Sequence, residues 1–249
     1  MRRAFTAATL ATLLACSGEK PQPAPEYFQA DPKATARISG RATFEGKVPP
    51  PKPVSMNADP DCEKLNPAPV REQHIQTSKD NGLANVFIYL KTGLEGKRFA
   101  PALNAVTLDQ RGCHFVPRVI ALRAGQTLTV SNSDPVSHNI HPMPTQNRDW
   151  NQHQAPDSPN LERRFAHPEV MIPVKCNIHG WMKSYIGVLD HPYAAVTGPD
   201  GSFTLSQVPP GTYNIAAWHE AFGEIAQRVA IKGSEEISVV FPFSPPAAH

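Results

Sequence analysis

The chain has 249 residues, enough for one large or two modest domains, and 40% of them are hydrophobic, so a core can be buried. Its 27 prolines exclude long uninterrupted helices and favour short strands between punctuated loops. The formal net charge is only +2, with no basic block or stripe, which excludes the electrostatic footprint of a nucleic-acid-binding protein.

Residues 1–15, MRRAFTAATLATLLA, place two arginines before an apolar run too short to span a bilayer, and read as an export signal. The following Leu13-Leu14-Ala15-Cys16 resembles the lipobox of bacterial lipoproteins. That resemblance implies cleavage before Cys16, lipidation of its sulfur, and a lipid-anchored position on the periplasmic side of a bacterial membrane. The plainer reading is an ordinary signal with an incidental cysteine. Loss of residues 1–15 removes Arg2 and Arg3 and no acid, leaving basic and acidic residues equal in number. Residues 16–36, rich in proline and alanine, read as the lipidated cysteine and a flexible tether. Outside the cytoplasm thiols tend to pair. With Cys16 lipidated, Cys62, Cys113 and Cys176 remain, and an odd count leaves one unpaired. The economical reading is a Cys62–Cys113 disulfide with Cys176 as a metal thiolate; the alternative is two free thiols at Cys62 and Cys113.

Beyond the tether the pattern is strand after strand. RISGRATFEG (37–46) alternates, with Ile38, Gly40, Ala42 and Phe44 on one face. The polar, proline-rich run to about Gln76 reads as an irregular excursion. NVFIYLK (85–91) is a strand with apolar residues on both faces. CHFVPRVIALRAGQTLTVSN (113–132) offers two strands around a turn at Ala124-Gly125, and residues 142–162 read as a polar loop. PEVMIPVK (168–175), SYIGVLD (184–190), TGPDGSFTL (197–205), PPGTYNIAAW (209–218) and EISVVFPF (236–243) complete the set, separated by P-D-G and P-P-G turns. No stretch sustains a period of 3.6, so the expected class is all-β, built as antiparallel sandwiches.

The chemistry concentrates in VKCNIHGWMKSY (174–185), where Cys176, His179 and Met182 fall at every third residue. SNSDPVSHNIHPM (131–143) adds His138. Two imidazoles, a thiolate and a weak thioether suit copper cycling between its two oxidation states, whereas zinc sites use Cys, His and carboxylates and give no role to Met182. His141 competes with His138, but strand alternation places it on the opposite face. Met143 and Met171 are alternative thioethers outside the loop, better read as packing. His219 is read as a surface histidine paired with Glu220.

FVPRVIALRAGQTLTVSNSDPVSHNI followed by VKCNIHGWM resembles the cupredoxins, the blue-copper fold of plastocyanin and amicyanin, over roughly residues 105–190. The resemblance implies a Greek-key β-sandwich holding one mononuclear Cu(I)/Cu(II) through His138, Cys176, His179 and Met182. It further implies that Asn139 stitches the two ligand loops together. His179 would reach the surface beside Gly180 and Trp181 as the patch for electron exchange. The residues flanking Cys176 are Lys175 and Asn177, so the histidines that wire a second copper in related oxidases and nitrite reductases are missing here.

ISGRATFEG and LANVFIYL, together with AVTGPDGSFTLSQVPPGTYNIAAWHEAFGEIAQRVAI, resemble the carboxypeptidase regulatory-like domain, a transthyretin-like sandwich. Its strands flank the copper segment, so the expected organisation is one sandwich inserted in, or fused across, the other. Residues 37–100 and 192–249 would supply the transthyretin-like strands and 101–191 the cupredoxin; two sequential domains are the alternative. The expected function is an electron carrier rather than an enzyme, serving redox protein partners outside the cytoplasm and tied to the membrane by the lipid, with no nucleic-acid partner. A copper-handling lipoprotein, or a cell-surface binding module with an incidental metal site, are the competing readings.

Overall fold

The computed structural model describes residues 25–57 and 59–245. The signal read at 1–15 and the lipidation read at Cys16 lie outside the described residues. In chain order the elements are β1 (Ala36–Phe44), a short helix α1 (Pro60–Leu65), β2 (Phe87–Thr92), β3 (Val106–Arg111), β4 (His114–Val116), β5 (Val119–Arg123), β6 (Leu128–Asn132) and β7 (His138–Pro142). They continue with β8 (Gln152–Gln154), β9 (Leu161–Arg163), β10 (Glu169–Lys175), β11 (Lys183–Leu189), β12 (Ala194–Val196), β13 (Ser202–Val208), β14 (Gly211–His219), β15 (Gly223–Ile231) and β16 (Glu236–Phe243). The protein is all-β apart from α1, and among the described residues no helix is long and apolar enough to cross a membrane.

Four sheets form two sandwiches. Sheets β13-β1-β16 and β12-β2-β14-β15 enclose one core, in which Ile38, Phe44, Ile88, Leu90, Tyr213 and Phe241 are buried. Sheets β5-β11-β10-β7-β8 and β4-β3-β6-β9 enclose the other, around Leu108, Phe115, Leu128, Val130, Ile172 and Ile186. The chain leaves the first sandwich after β2, builds all of β3–β11 in the second, and returns at β12 to pair with β2. β1 is central to its sheet, running parallel to β16 and antiparallel to β13. Gly40 permits this, since a Cβ there would overlap the Val239 backbone.

The doubly apolar face pattern of β2 has a structural cause. Ile88 and Leu90 point into the first core, while Phe87 and Tyr89 point the other way, into a third cluster with Val119, Met171, Leu189 and Ala216. That cluster joins the two sandwiches, and full burial of a side chain such as Phe87 contributes about 1.5–3 kcal/mol. The Phe87 ring lies where a Cβ on Gly187 of β11 would be, so the strands meet at van der Waals range. Arg118 and Glu220 close the same junction with a two-pronged ion pair, Nη2 donating to Oε2 at 2.7 Å and Nε donating to Oε1. Both side chains are nearly sealed from water, at 12% and 7% exposure.

Four stretches depart from the sequence reading. The described part of the tether does not hang free: the Phe28 N–H donates to the Arg98 carbonyl at 2.6 Å, and the Phe28 and Phe99 rings meet edge to face at 5.6 Å. The excursion after β1, assigned with residues 37–100 to the first sandwich, sends Met56 and Cys62 into the core of the second. The reason is covalent, because Cys62 is bonded to Cys113 beside β4. Residues 142–162 contain β8, whose Gln154 side chain is buried and accepts from Gln110 Nε2 at 2.7 Å. The polar β15 carries no clear alternation, yet it pairs with β14 along its entire length.

Candidate metal centre

His138 begins β7, while Cys176, His179 and Met182 occupy the turn between β10 and β11. The Cys176 N–H donates to the Met182 carbonyl at 3.3 Å, and the Met182 N–H to the His179 carbonyl at 2.9 Å, so the turn closes on itself. It is then fastened to β7 by one side chain. Asn139 Oδ1 accepts from the Asn177 N–H at 2.6 Å, the Ile178 N–H at 3.3 Å and the Cys176 thiol at 3.4 Å, and its Nδ2 donates to Asn151 Oδ1 at 2.7 Å.

This frame brings together His138, Cys176 and His179, each offering one donor atom within 4.8 Å of the others. The Nδ1 atoms of the two histidines face each other at 2.9 Å, and Cys176 Sγ lies 3.9 Å from His179 Nδ1. Met182 is fully buried in the same apolar cluster as Cys176. Cys176 is a free thiol. Two other groupings, Asp59–Cys62–His179 and Cys113–Asp134–His138, come as close, but each contains a sulfur spent in the Cys62–Cys113 disulfide. A disulfide sulfur carries no charge, which leaves the N₂S set as the one with a thiolate to offer.

The outer nitrogens are engaged elsewhere. His138 Nε2 lies 2.8 Å from Asp134 Oδ2, and His179 Nε2 lies 2.9 Å from Asp59 Oδ2. With each Nε2 proton given to a carboxylate, the two Nδ1 lone pairs confront one another and the sulfur. Such a face needs a cation, a proton or a metal ion, between its members. Burial would disfavour charge on His138, but its bonds to Asp134 and to Cys176 outweigh that and raise its pKa above the ordinary imidazole value. Burial likewise opposes ionisation of Cys176, and hydrogen bonds from His138 and neighbouring backbone overcome it, holding the thiol below its usual pKa. A thiolate and two neutral Nδ1 atoms are the donors that copper selects, so the residues fit that ion.

The expectation for His179 is overturned. His179 does not reach the surface; it is 2% exposed. Helix α1, which the sequence gives as part of an irregular run, lies over it. Asp59 caps α1, its Oδ1 accepting from the Asp61 and Cys62 N–H groups, while its Oδ2 holds the imidazole. Trp181 covers another side, its ring 5.0 Å from that of His179, and its Nε1 donates to the Cys113 carbonyl at 3.0 Å. Gly180 is exposed and Trp181 half-buried. Both line a cleft of about 490 Å³ between the sandwiches, shared with Lys52, Arg71, Arg118 and Lys183. Arg118 is paired with Glu220, whereas Lys52, Arg71 and Lys183 have no carboxylate within ion-pair distance among the described residues.

The remaining candidates fall away from the centre. His141 lies opposite His138 and pairs with Asp149 at 3.1 Å. Met171 sits in the cluster between the sandwiches. His219 is not a surface partner of Glu220. It is 1% exposed and stacks on Phe222 at 4.8 Å, and burial, with Arg118 and His74 nearby, pushes its pKa down to about 4. The sequence pattern gives no role at the centre to Asp59 or Asp134. The signal at Asp59 was present, since Asp-Pro followed by acidic residues is a helix start.

No family model matches the chain, and no curated protein compared with it is similar. Among solved structures it is similar to a copper-containing nitrite reductase from Thermus scotoductus SA-01, at 21% identity over 41% of this chain and 25% of that one, with a TM-score of 0.33. It is also similar to a purple cupredoxin from Nitrosopumilus maritimus, at 22% identity over 30% of this chain and 82% of that one, TM-score 0.27. A plastocyanin from Dryopteris crassirhizoma is similar at 18% identity over 34% of this chain and 100% of that one, TM-score 0.30. The chain thus spans a quarter of the nitrite reductase's length, and these cupredoxin neighbours each match less than half of the present chain.

Proposed function

We propose that this protein is a mononuclear copper protein of the cupredoxin kind that carries single electrons between redox proteins outside the cytoplasm. The observation that supports it is the meeting of His138 Nδ1, His179 Nδ1 and the free Cys176 sulfur in a buried pocket. Bound copper would supply a one-electron couple there. His138, Cys176 and His179 would hold it, with Met182 as the weak fourth donor, and Asn139 keeps the two ligand segments in register. Four protein donors leave no position for a substrate, so the reading is a carrier rather than an enzyme. Ligands that are 0–2% exposed also suit electron transfer better than handing a metal ion to another protein. The Cys62–Cys113 disulfide favours an oxidising compartment, in keeping with export and a lipid anchor at Cys16.

With His179 covered, the reading places exchange at Trp181. Its ring joins the covered imidazole to the cleft, and Lys52, Arg71 and Lys183 favour an acidic partner there. A buried tryptophan anchor contributes about 2 kcal/mol or more to docking, roughly 30-fold in affinity. Trp181→Leu is therefore expected to leave the visible copper spectrum in place while slowing electron exchange with hexacyanoferrate(III), an anionic probe, in stopped-flow mixing. An altered spectrum with unchanged exchange would count against this port. Failure of the copper-loaded protein to give a reversible one-electron wave in voltammetry would sink the carrier reading itself.

A further inference from the structure

Both imidazoles are held from behind by carboxylates, and both carboxylates are fixed by the same cross-link. Asp134 is buried and accepts from the Gly112 and Cys113 N–H groups at 2.6 and 2.7 Å, at one end of the disulfide. Asp59 caps the helix that carries Cys62, at the other end. The disulfide thus ties together the two turns that present the carboxylates, and it lies against the centre, with Cys62 Sγ 3.7 Å from His179 Nε2. The nearer polar partner of each Nε2 is an Asp oxygen, with Cys62 Sγ farther off at 3.7 Å from His179 Nε2, and each Nδ1 meets the shared pocket.

We propose that Asp59 and Asp134 are positioning residues of the metal centre, which keep the Nε2–H tautomer on His179 and His138, aim both Nδ1 atoms at Cys176, and bias the couple toward the oxidised metal. The proposal rests on the copper reading above. Its physical basis is charge: two carboxylates and a thiolate in a water-poor setting favour the more positive ion, and carboxylate bonds make imidazoles more basic ligands. Electron transfer from a redox protein would move no proton at these residues, because both Nε2 protons would remain in their carboxylate bonds. Asp134, with 3% side-chain exposure, exerts the larger bias; Asp59, at 25%, is partly screened by water.

The test uses the full chain, loaded with copper for the potentials and copper-free for the tautomers. Asp59→Asn, Asp134→Asn and Asp59→Glu are titrated by spectroelectrochemistry. Both asparagine variants are expected to raise the midpoint potential, Asp134→Asn more, by about 59 mV for each tenfold loss of preference for Cu(II). Asp59→Glu, which restores the charge, should return the potential toward the parent value. In the copper-free protein, nitrogen-15 spectra should show the Nε2–H tautomer on both imidazoles, with that preference lost at one histidine in each asparagine variant. Unchanged potentials under an intact thiolate-to-copper band overturn the proposal and leave the copper reading standing. So do Nδ1–H tautomers in the copper-free parent protein, a result that decides the matter even if Asp134→Asn does not fold. A parent protein with no such band overturns the copper reading and this proposal with it.

Discussion

Arg118→Ala is expected to destabilise the protein by about 3–5 kcal/mol, the range found when one member of a buried ion pair is removed. Glu220 is 7% exposed at its side chain, and Arg118 supplies both of its close cationic bonds. Without the guanidinium, the carboxylate must stay charged between two packed sandwiches or take up a proton, and either course opposes folding. Chemical denaturation of Arg118→Ala beside the Arg118→Met, Glu220→Leu double variant separates the lost pair from the stranded charge. The double variant is expected to recover most of the loss, since the shape is filled and no charge is left behind. A single-variant loss below about 1 kcal/mol would mean that the pair behaves as a surface salt bridge and that the junction is wet.

Asn139→Ala should act on the centre itself. Its Oδ1 is the acceptor for two backbone N–H groups of the ligand turn and for the Cys176 thiol. Removing it strands donors at the edge of a buried pocket, at about 1–3 kcal/mol for a buried unsatisfied group. The turn that carries Cys176 and His179 would lose its side-chain tie to the strand that carries His138 and keep only the β10–β7 pairing before it. Copper affinity is expected to fall by about 10- to 100-fold, the usual effect of losing a support behind metal ligands. Competition titration with a chelator reads this directly. Asn139→Asp, which keeps an oxygen acceptor, should lose less; equal losses in the two variants would show that the acceptor is not what matters.

How far the sequence carries the structure depends on how local each feature is. Strand alternation in RISGRATFEG and the P-D-G and P-P-G turns are written in neighbouring residues, and β1, β13 and β14 appear where those patterns lie. The doubly apolar NVFIYLK is legible as a strand, but only the packing shows that its second face meets β5 and β11 of the other sandwich. The candidate donors Cys176, His179 and Met182 are spaced by three, a local signal. His138 lies in a separate segment, and its Nδ1 meets His179 because β10 pairs with β7 and Asn139 holds the following turn onto that strand.

What the sequence hid is the cover. The excursion after β1 is polar and proline-rich, and nothing in its pattern says which sandwich it will lie on. A disulfide spanning 51 residues decides that, bringing Asp59 onto His179 and closing the imidazole edge that an open cupredoxin pattern leaves free. Asp134 is hidden for a similar reason. In SNSDP it reads as a turn residue, and its bond to His138 follows from the two backbone N–H groups that hold the carboxylate in place.

Copper bound by a Cys176 thiolate between His138 and His179 would have a visible signature. The most direct measurement is the visible absorption spectrum of the protein loaded with Cu(II), recorded beside Cys176→Ser. The account predicts an intense blue, green or purple thiolate-to-copper band in the parent protein and its complete loss in the variant. A parent protein that takes up Cu(II) without such a band, or a variant that keeps it, would contradict the account.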